Sequence, residues 1–524
     1  MVTSPHALAS QAGVGILQLG GSAVDAAIAA AAVLSVVYPH MTSVGGDAFW
    51  LIYDARTGAV RSLEAAGRAA AAATIEWFSD RGLREIPIRG IVPATLTVPG
   101  AVDGWCEAHA AYGRLPLAAD LAPAVGYARE GFPVTARLAR YIERAADMLA
   151  ADPGAARIFL AEGRRPAEGR RLTNPDLART LERLVAGRPG FYEGETAREM
   201  ARHARAHGGL FSERDFAAQR SKWGASISAT YRGVTIHETP PPSQGLAVLQ
   251  ALRLLEPYEI GALPYLGADH VHLLVQAKQI AFHDRDRLVG DPDFVPVPVA
   301  RLLSPAYLDE RRGLMDRERA LPWDRVPSAG SLAGDTVYVA AVDAEGNAVS
   351  LTQSVYSDFG SGVVAGTTGV LLQNRGAYFS LDSAHPNRLE PGKRPLHTLI
   401  ASLAFKGGRP WQVVGCMGAD GQPQIHLQIY TALIDFGLDI QQAVEAPRWL
   451  AGRFAIGEPR DLLNLEGRFP ESTITELARR GHAVNRWGAW NEFAGHAHGI
   501  TIDSDGGLLA GGADPRSDGA AIGY

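Results

Sequence analysis

The segment GDTVYVAAVDAEGNAVSLTQSVYSDFG, which starts at Gly334, constrains the fold more than any other part of the chain. Two apolar or alternating runs flank Asp343-Ala344-Glu345-Gly346-Asn347, whose Asp, Gly and Asn are turn formers, so a β-hairpin is predicted. Before it the periodicity is mainly helical, as in AAIAAAAVLSVVY (26–38), LAVLQALRLLEPY (246–258) and ADHVHLLVQAKQIAFHDRDRLV (268–289). Ser22 offers an N-cap to the first of these helices, and Pro39 stops it. Residues 286–335 are rich in Pro, Gly and Asp and read as an exposed connector. Further strands are predicted at 362–373, 399–406 and 411–416, then a helix near 424–437. A helical first half and a strand-rich middle imply an α+β fold whose strands are sandwiched by helices.

The bulk properties exclude several classes. The 524 residues carry a net charge of −6 with scattered Lys and Arg, which leaves no basic stripe for nucleic acid. Cys106 and Cys416 are the only cysteines, too few for a disulfide framework or a thiolate zinc site, and they suit a reducing compartment. The 13-residue run at 26–38 is too short to span a membrane, and the start lacks a basic region followed by an apolar core. A soluble, cytoplasmic enzyme or binding protein is expected.

Thr336 stands where the first hairpin strand begins. A threonine hydroxyl is a weak nucleophile unless a base is adjacent, and an N-terminal threonine carries one in its own α-amine, with a reference pKa of about 7.7–8.0. That use requires the Asp335–Thr336 bond to be cut first, by attack of the same hydroxyl on the Asp335 carbonyl and hydrolysis of the resulting ester. Pairing Val342 with Val349 puts Thr336 opposite Val355, give or take one residue, so that Ser354 and Tyr356 flank it. On local sequence alone Thr336 reads first as an ordinary residue that starts a strand, as most such threonines do.

Longer blocks decide between these readings. GGSAVDAAIAAAAVLSVVYPHMTSVGGDAFW (20–50), LTVPGAVDGW (96–105), YRGVTIHETPPPSQG (231–245), GDPDFVPVP (290–298), the hairpin, PGKRPLHTLIASL (391–403) and ADPRSDGAAIGY (513–524) resemble the γ-glutamyltransferase family of N-terminal-nucleophile hydrolases. The resemblance implies a four-layer αββα sandwich, and no cofactor or metal is expected. It also implies a precursor that cleaves itself into a large subunit, 1–335, and a small one, 336–524, which stay together and could pair into a dimer of heterodimers. Thr336 matches the family's nucleophile and Ser354 the hydroxyl that hydrogen-bonds it. Gly418 and Ala419 match the glycine pair whose N–H groups form an oxyanion hole.

The glutamyl-reading half departs from the pattern. Ile75 stands where an arginine grips the donor's α-carboxylate. Tyr356 replaces an asparagine, Tyr378 the acid that holds the donor's amine, and His397 and Thr398 two serines. Buried charged partners are worth roughly 2–5 kcal/mol each, so a γ-glutamyl donor is disfavoured. Arg375, Arg68 and His397 lie in segments matching substrate-facing parts of the family, and guanidinium groups suit a small carboxylate. The set resembles the oxamate amidohydrolase branch. The expected substrate is a small carboxylate-bearing amide. The alternatives are a γ-glutamyl hydrolase or transferase using glutathione-like donors, and an unprocessed, non-catalytic binding relative. Among other motifs, His270 and His272 are two apart on a helix and make a poor metal pair. FHDRDR (282–287) reads as a solvated or intersubunit ion-pair network. His40 is expected to make a structural hydrogen bond, and Cys416 to be a small buried residue.

Overall fold

The computed structural model describes residues 1–160, 165–327, 334–454 and 458–524. Two antiparallel sheets lie face to face. The first runs in the order Ala520–Ile522, Val2–Ser4, Asp335–Val342, Ala348–Tyr356, Asp47–Asp54, Ala59–Ala65 and Lys222–Ala225. The second runs Leu508–Ala513, Ala497–Asp503, Arg409–Cys416, Ser402–Lys406, Val234–Glu238 and Ile227–Tyr231.

Period-2 alternation assigns the faces of the hairpin. Val337, Val339 and Ala341 join the core shared with the helix Ala23–Val37, whereas Tyr338, Ala340 and Val342 meet Leu403, Val413 and Ile500 of the second sheet. Gly415 must lack a side chain there, because a Cβ would come within 2.1 Å of the Tyr338 ring. The helix Ala23–Val37 is buried all round, as its apolar sequence requires, and a reciprocal capping box between Ser22 and Asp25 starts it. On the outer face of the second sheet pack the helices Gly245–Leu255, Ala268–Leu288 and Gln422–Ile434. The layers are helix, sheet, sheet, helix, which is the expected αββα sandwich.

Three local expectations are corrected. Val342 pairs with Ala348, one residue off the expected partner, because the Asp343 carboxylate accepts the Glu345 and Asn347 N–H groups and closes a five-residue loop. A bulge between Gln353 and Tyr356 then brings Tyr356 opposite Asp335, so the predicted neighbourhood of Thr336 is restored only at the site itself. Residues 362–373 form no strand, since Gly362, Gly366 and Gly369 take positive φ and leave only isolated bridges. The connector 286–335 is not simply exposed: Leu302, Leu308, Leu321 and Val326 are buried, and short helices span Val299–Leu302 and Pro305–Arg312. Its last stretch, 328–333, lies outside the described residues.

Candidate active site

Thr336 is buried at the start of its strand, and the alternation puts it on the inter-sheet side. The bulge places Ser354 beside the bond that precedes Thr336. Its Oγ donates a hydrogen bond to the Asp335 carbonyl oxygen at 2.5 Å and accepts one from the Tyr356 N–H at 2.7 Å. Ser354 therefore holds the carbonyl that self-cleavage would attack, where sequence reasoning had it orienting the threonine hydroxyl. A donor on that oxygen draws electrons from the carbonyl carbon and stabilises the charge that attack would place on the oxygen. Tyr356 sits at φ 82°, strained for an aromatic residue at a cost of roughly 1–3 kcal/mol. The Asp335 side chain points to the opposite side, where burial, reinforced by Asp358, pushes its carboxyl well above the usual range against Arg89 and Arg144.

The loop after the strand Arg409–Cys416 carries the candidate oxyanion donors. Gly418 has φ 138° and Ala419 φ 46°, so alanine tolerates a left-handed conformation here. Among the described residues neither N–H makes a hydrogen bond. The segment that precedes Thr336 runs against this loop. A Cβ built on Gly334 would lie 2.7 Å from Ala419 Cβ and 2.8 Å from the Tyr356 carbonyl oxygen, so only glycine passes. Gln244 locks the loop from behind, its amide donating to Ala419 O at 2.9 Å and Thr398 O at 2.7 Å. Arg285 in turn grips Gln244 and donates to Asp420 at 2.6 Å. Far from being solvated, Arg285 of the FHDRDR segment is buried in the support of this loop, whereas Arg287 is exposed.

Arg375 is 1% exposed. Its Nη1 donates to Thr398 Oγ1 at 2.9 Å, and its Cζ lies 4.3 Å from the Tyr356 ring centroid. Nε and Nη2 have no partner among the described residues. Burial lowers the guanidinium's pKa from its ordinary value, against the pull of Tyr356 and Asp47, yet arginine remains protonated in proteins. Two free donors on one fork match the two oxygens of a carboxylate. Tyr378 packs edge-on to Tyr356 with centroids 5.7 Å apart, and its hydroxyl donates to Asp420 at 3.2 Å. Burial raises both phenols, Tyr356 to about 12, so both are neutral donors. The two rings line a cleft of about 690 Å³ that Arg84, Arg453 and Arg460 also border.

Two expected substrate contacts are otherwise engaged. Arg68 donates to Gly392 O at 3.0 Å and pairs with Asp293 at 3.5 Å, so it anchors a surface network. His397 sits fully buried with Nε2 3.1 Å from Asp47 Oδ2 and Nδ1 accepting the Leu399 N–H at 3.4 Å. Burial, with Arg375 nearby, lowers its pKa to about 4, so the ring is neutral and has no donor left for a substrate. Its partner Asp47 also accepts from Gly67, Gly100 and Gln373, which gathers four segments behind the site. Ile75 begins a short helix, Ile75–Ser79, and packs on the helix-layer core. The His40 ring makes no hydrogen bond among the described residues and is held between the rings of Tyr38 and Tyr141, at 4.2 and 4.4 Å, while its backbone carbonyl accepts the Phe359 N–H at 3.0 Å. Sequence reasoning missed Asp47, Gln244, Arg285 and Asp420 as parts of the site. Only their presence inside the quoted blocks or beside the oxyanion loop could have flagged them.

The family model for gamma-glutamyltranspeptidase matches residues 9–524. The chain belongs to the γ-glutamyltranspeptidase family. This γ-glutamyltranspeptidase-family protein is 44% identical over 527 residues to the glutathione hydrolase-like YwrD proenzyme of Bacillus subtilis (strain 168), covering 100% of this chain and 98% of that one. It is 41% identical over 530 residues to the oxamate amidohydrolase proenzyme of Klebsiella pneumoniae, again with 100% and 98% covered. Its structure is similar to that of a cephalosporin acylase from Bacillus halodurans, with TM-score 0.92, 38% identity and coverage of 100% and 96%. It is a hydrolase acting on C–N bonds, and as a relative of proenzymes it is a precursor that processes itself into a large and a small subunit.

Proposed function

We propose that this enzyme hydrolyses a small amide whose carbonyl lies next to a carboxylate, as in oxamate, with Thr336 as nucleophile. Cleavage of the Asp335–Thr336 bond leaves subunits 1–335 and 336–524. Thr336 Oγ attacks the Asp335 carbonyl, the peptide nitrogen takes up a proton and leaves as the new α-amine, and water hydrolyses the ester. In turnover that amine accepts the hydroxyl proton as Oγ attacks the substrate carbonyl, and the Gly418 and Ala419 N–H groups hold the oxyanion. The amine returns the proton to the departing ammonia or amine, and water then releases the acid from the acyl-enzyme.

The observation that carries the substrate class is Arg375, a buried guanidinium with two unpaired donors between Tyr356 and Thr398. Ile75 offers no charge for an α-carboxylate and Tyr378 none for an α-amine, which weighs against a γ-glutamyl donor. The 690 Å³ cleft favours a second reading, in which the same carboxylate-bearing acyl group is attached to a bulkier amine. Side-by-side turnover of oxamate, an N-substituted oxamate and γ-glutamyl-p-nitroanilide, with Thr336→Ala as control, tests both. Turnover of an oxamate with little on the glutamyl compound is expected, and preference for the glutamyl compound refutes the assignment.

A further inference from the structure

Away from the active site, three helices of the outer layer converge: Ala23–Val37, Ala101–Tyr112 and Leu117–Glu130. Each contributes a side chain, and one ligating atom from each of Asp25, His109 and Asp120 lies within 4.8 Å of the other two. Both carboxylates are 0% exposed. Asp25 Oδ2 is occupied, accepting the N–H groups of Ser22, Arg114 and Leu115 at 2.8, 2.8 and 3.3 Å. Asp25 Oδ1 and both oxygens of Asp120 have no hydrogen-bond partner among the described residues. His109 Nε2 faces all of them, 4.0 Å from Asp25 Oδ1, 3.7 Å from Asp120 Oδ2 and 2.8 Å from the Leu115 carbonyl oxygen.

Two buried carboxylates with three orphaned oxygens are strongly unfavourable unless something positive sits between them. We propose that Asp25, His109, Asp120 and the Leu115 carbonyl form a structural binding site for a divalent transition-metal cation. One imidazole nitrogen with carboxylate and carbonyl oxygens is a donor set for Zn²⁺ or Mn²⁺. Donors around tetrahedral zinc, at bond lengths of about 2.0–2.2 Å, stand roughly 3.3 Å apart, so small inward movements close the site. His109 is 23% exposed and gives an entry path. Gly113 keeps that approach clear, since a Cβ there would fall 2.6 Å from the His109 ring and 2.9 Å from Asp25 Oδ1. The bound ion joins three helices, and the Ala23 N–H, bonded to Asp343 at 3.1 Å, ties them to the turn of the nucleophile hairpin. The ligands span 96 positions from Asp25 to Asp120 without a recognisable spacing motif, which is why sequence reasoning finds no metal here.

The test is metal analysis by mass spectrometry of tag-free protein purified without chelator, followed by melting with added ZnCl₂ or MnCl₂ or with a chelator. Wild type is expected to carry metal stoichiometric with the chain, or to take up Zn²⁺ or Mn²⁺ with a Tm rise of ~3 °C. Asp120→Asn should lose the uptake and the shift while keeping its turnover, and His109→Gln provides the same reading should the first variant fold poorly. Wild type that neither holds metal nor responds to either cation overturns the site, leaving a proton shared by Asp25 and Asp120. An equal response in wild type and Asp120→Asn overturns it too, because the ion then binds elsewhere.

Discussion

Replacing Arg375 by leucine tests the substrate assignment at its source. In the free enzyme the guanidinium is buried with one hydrogen bond, to Thr398, one aromatic face beneath it and two open donors. A carboxylate filling those donors would make a desolvated, bidentate ion pair, whose truncation costs roughly 2–5 kcal/mol. At 1.36 kcal/mol per factor of ten, kcat/KM for oxamate should fall about 30-fold to several thousand-fold. Oxamide, which carries a second amide in place of the carboxylate, controls for shape. Its kcat/KM should change by less than about threefold, because it never used the charge. Arg375 touches neither Ser354 nor the scissile carbonyl, so the variant should still cleave itself. Its stability should hold or rise, since an incompletely paired buried cation is replaced by an apolar group. Ammonia release measured on both amides decides the matter. Equal losses on oxamate and oxamide would show that Arg375 shapes the site without reading a carboxylate.

Ser354→Ala removes the donor to the Asp335 carbonyl, and self-cleavage followed on denaturing gels should slow by about 10²–10³-fold; an unchanged rate would remove Ser354 from that step. Gln244→Leu frees the Ala419 loop from the Thr398 segment, so kcat should drop about 10- to 100-fold with KM little changed, and a pure KM effect would contradict the bracing role. Acidification should destabilise the fold. Burial lowers His6, His270, His397 and His498 to about 4. Each therefore binds a proton in the unfolded chain but not in the native one between about pH 6.5 and 4. Their contribution is whole above that window and is lost on falling through it, by about 1–3 kcal/mol for His397 alone. A urea midpoint that stays flat from pH 7 to 5 would refute this.

Much of the site was legible because it is local. The hairpin, its nucleophile candidate and the Gly418-Ala419 pair lie within short segments whose turn chemistry and order along the chain are written in adjacent residues. What escaped depends on partners far apart in sequence. Arg68 looks like a carboxylate binder until Asp293, 225 positions away, claims it, and His397 looks like a donor until Asp47, 350 positions away, accepts its N–H. Arg285 has the pattern of a surface charge, yet the fold buries it against Asp420. The register slipped by one because a side chain, Asp343, sets the loop length, and the compensating bulge at Ser354 has no sequence mark of its own.

The proposed chemistry requires a free α-amine on Thr336 to activate its hydroxyl. Intact-mass measurement and N-terminal sequencing of purified, active enzyme test it most directly. Two chains are expected, 1–335 and 336–524, the second beginning Thr-Val-Tyr. Active protein whose Asp335–Thr336 bond is whole, or a small chain that begins at any other residue, contradicts it.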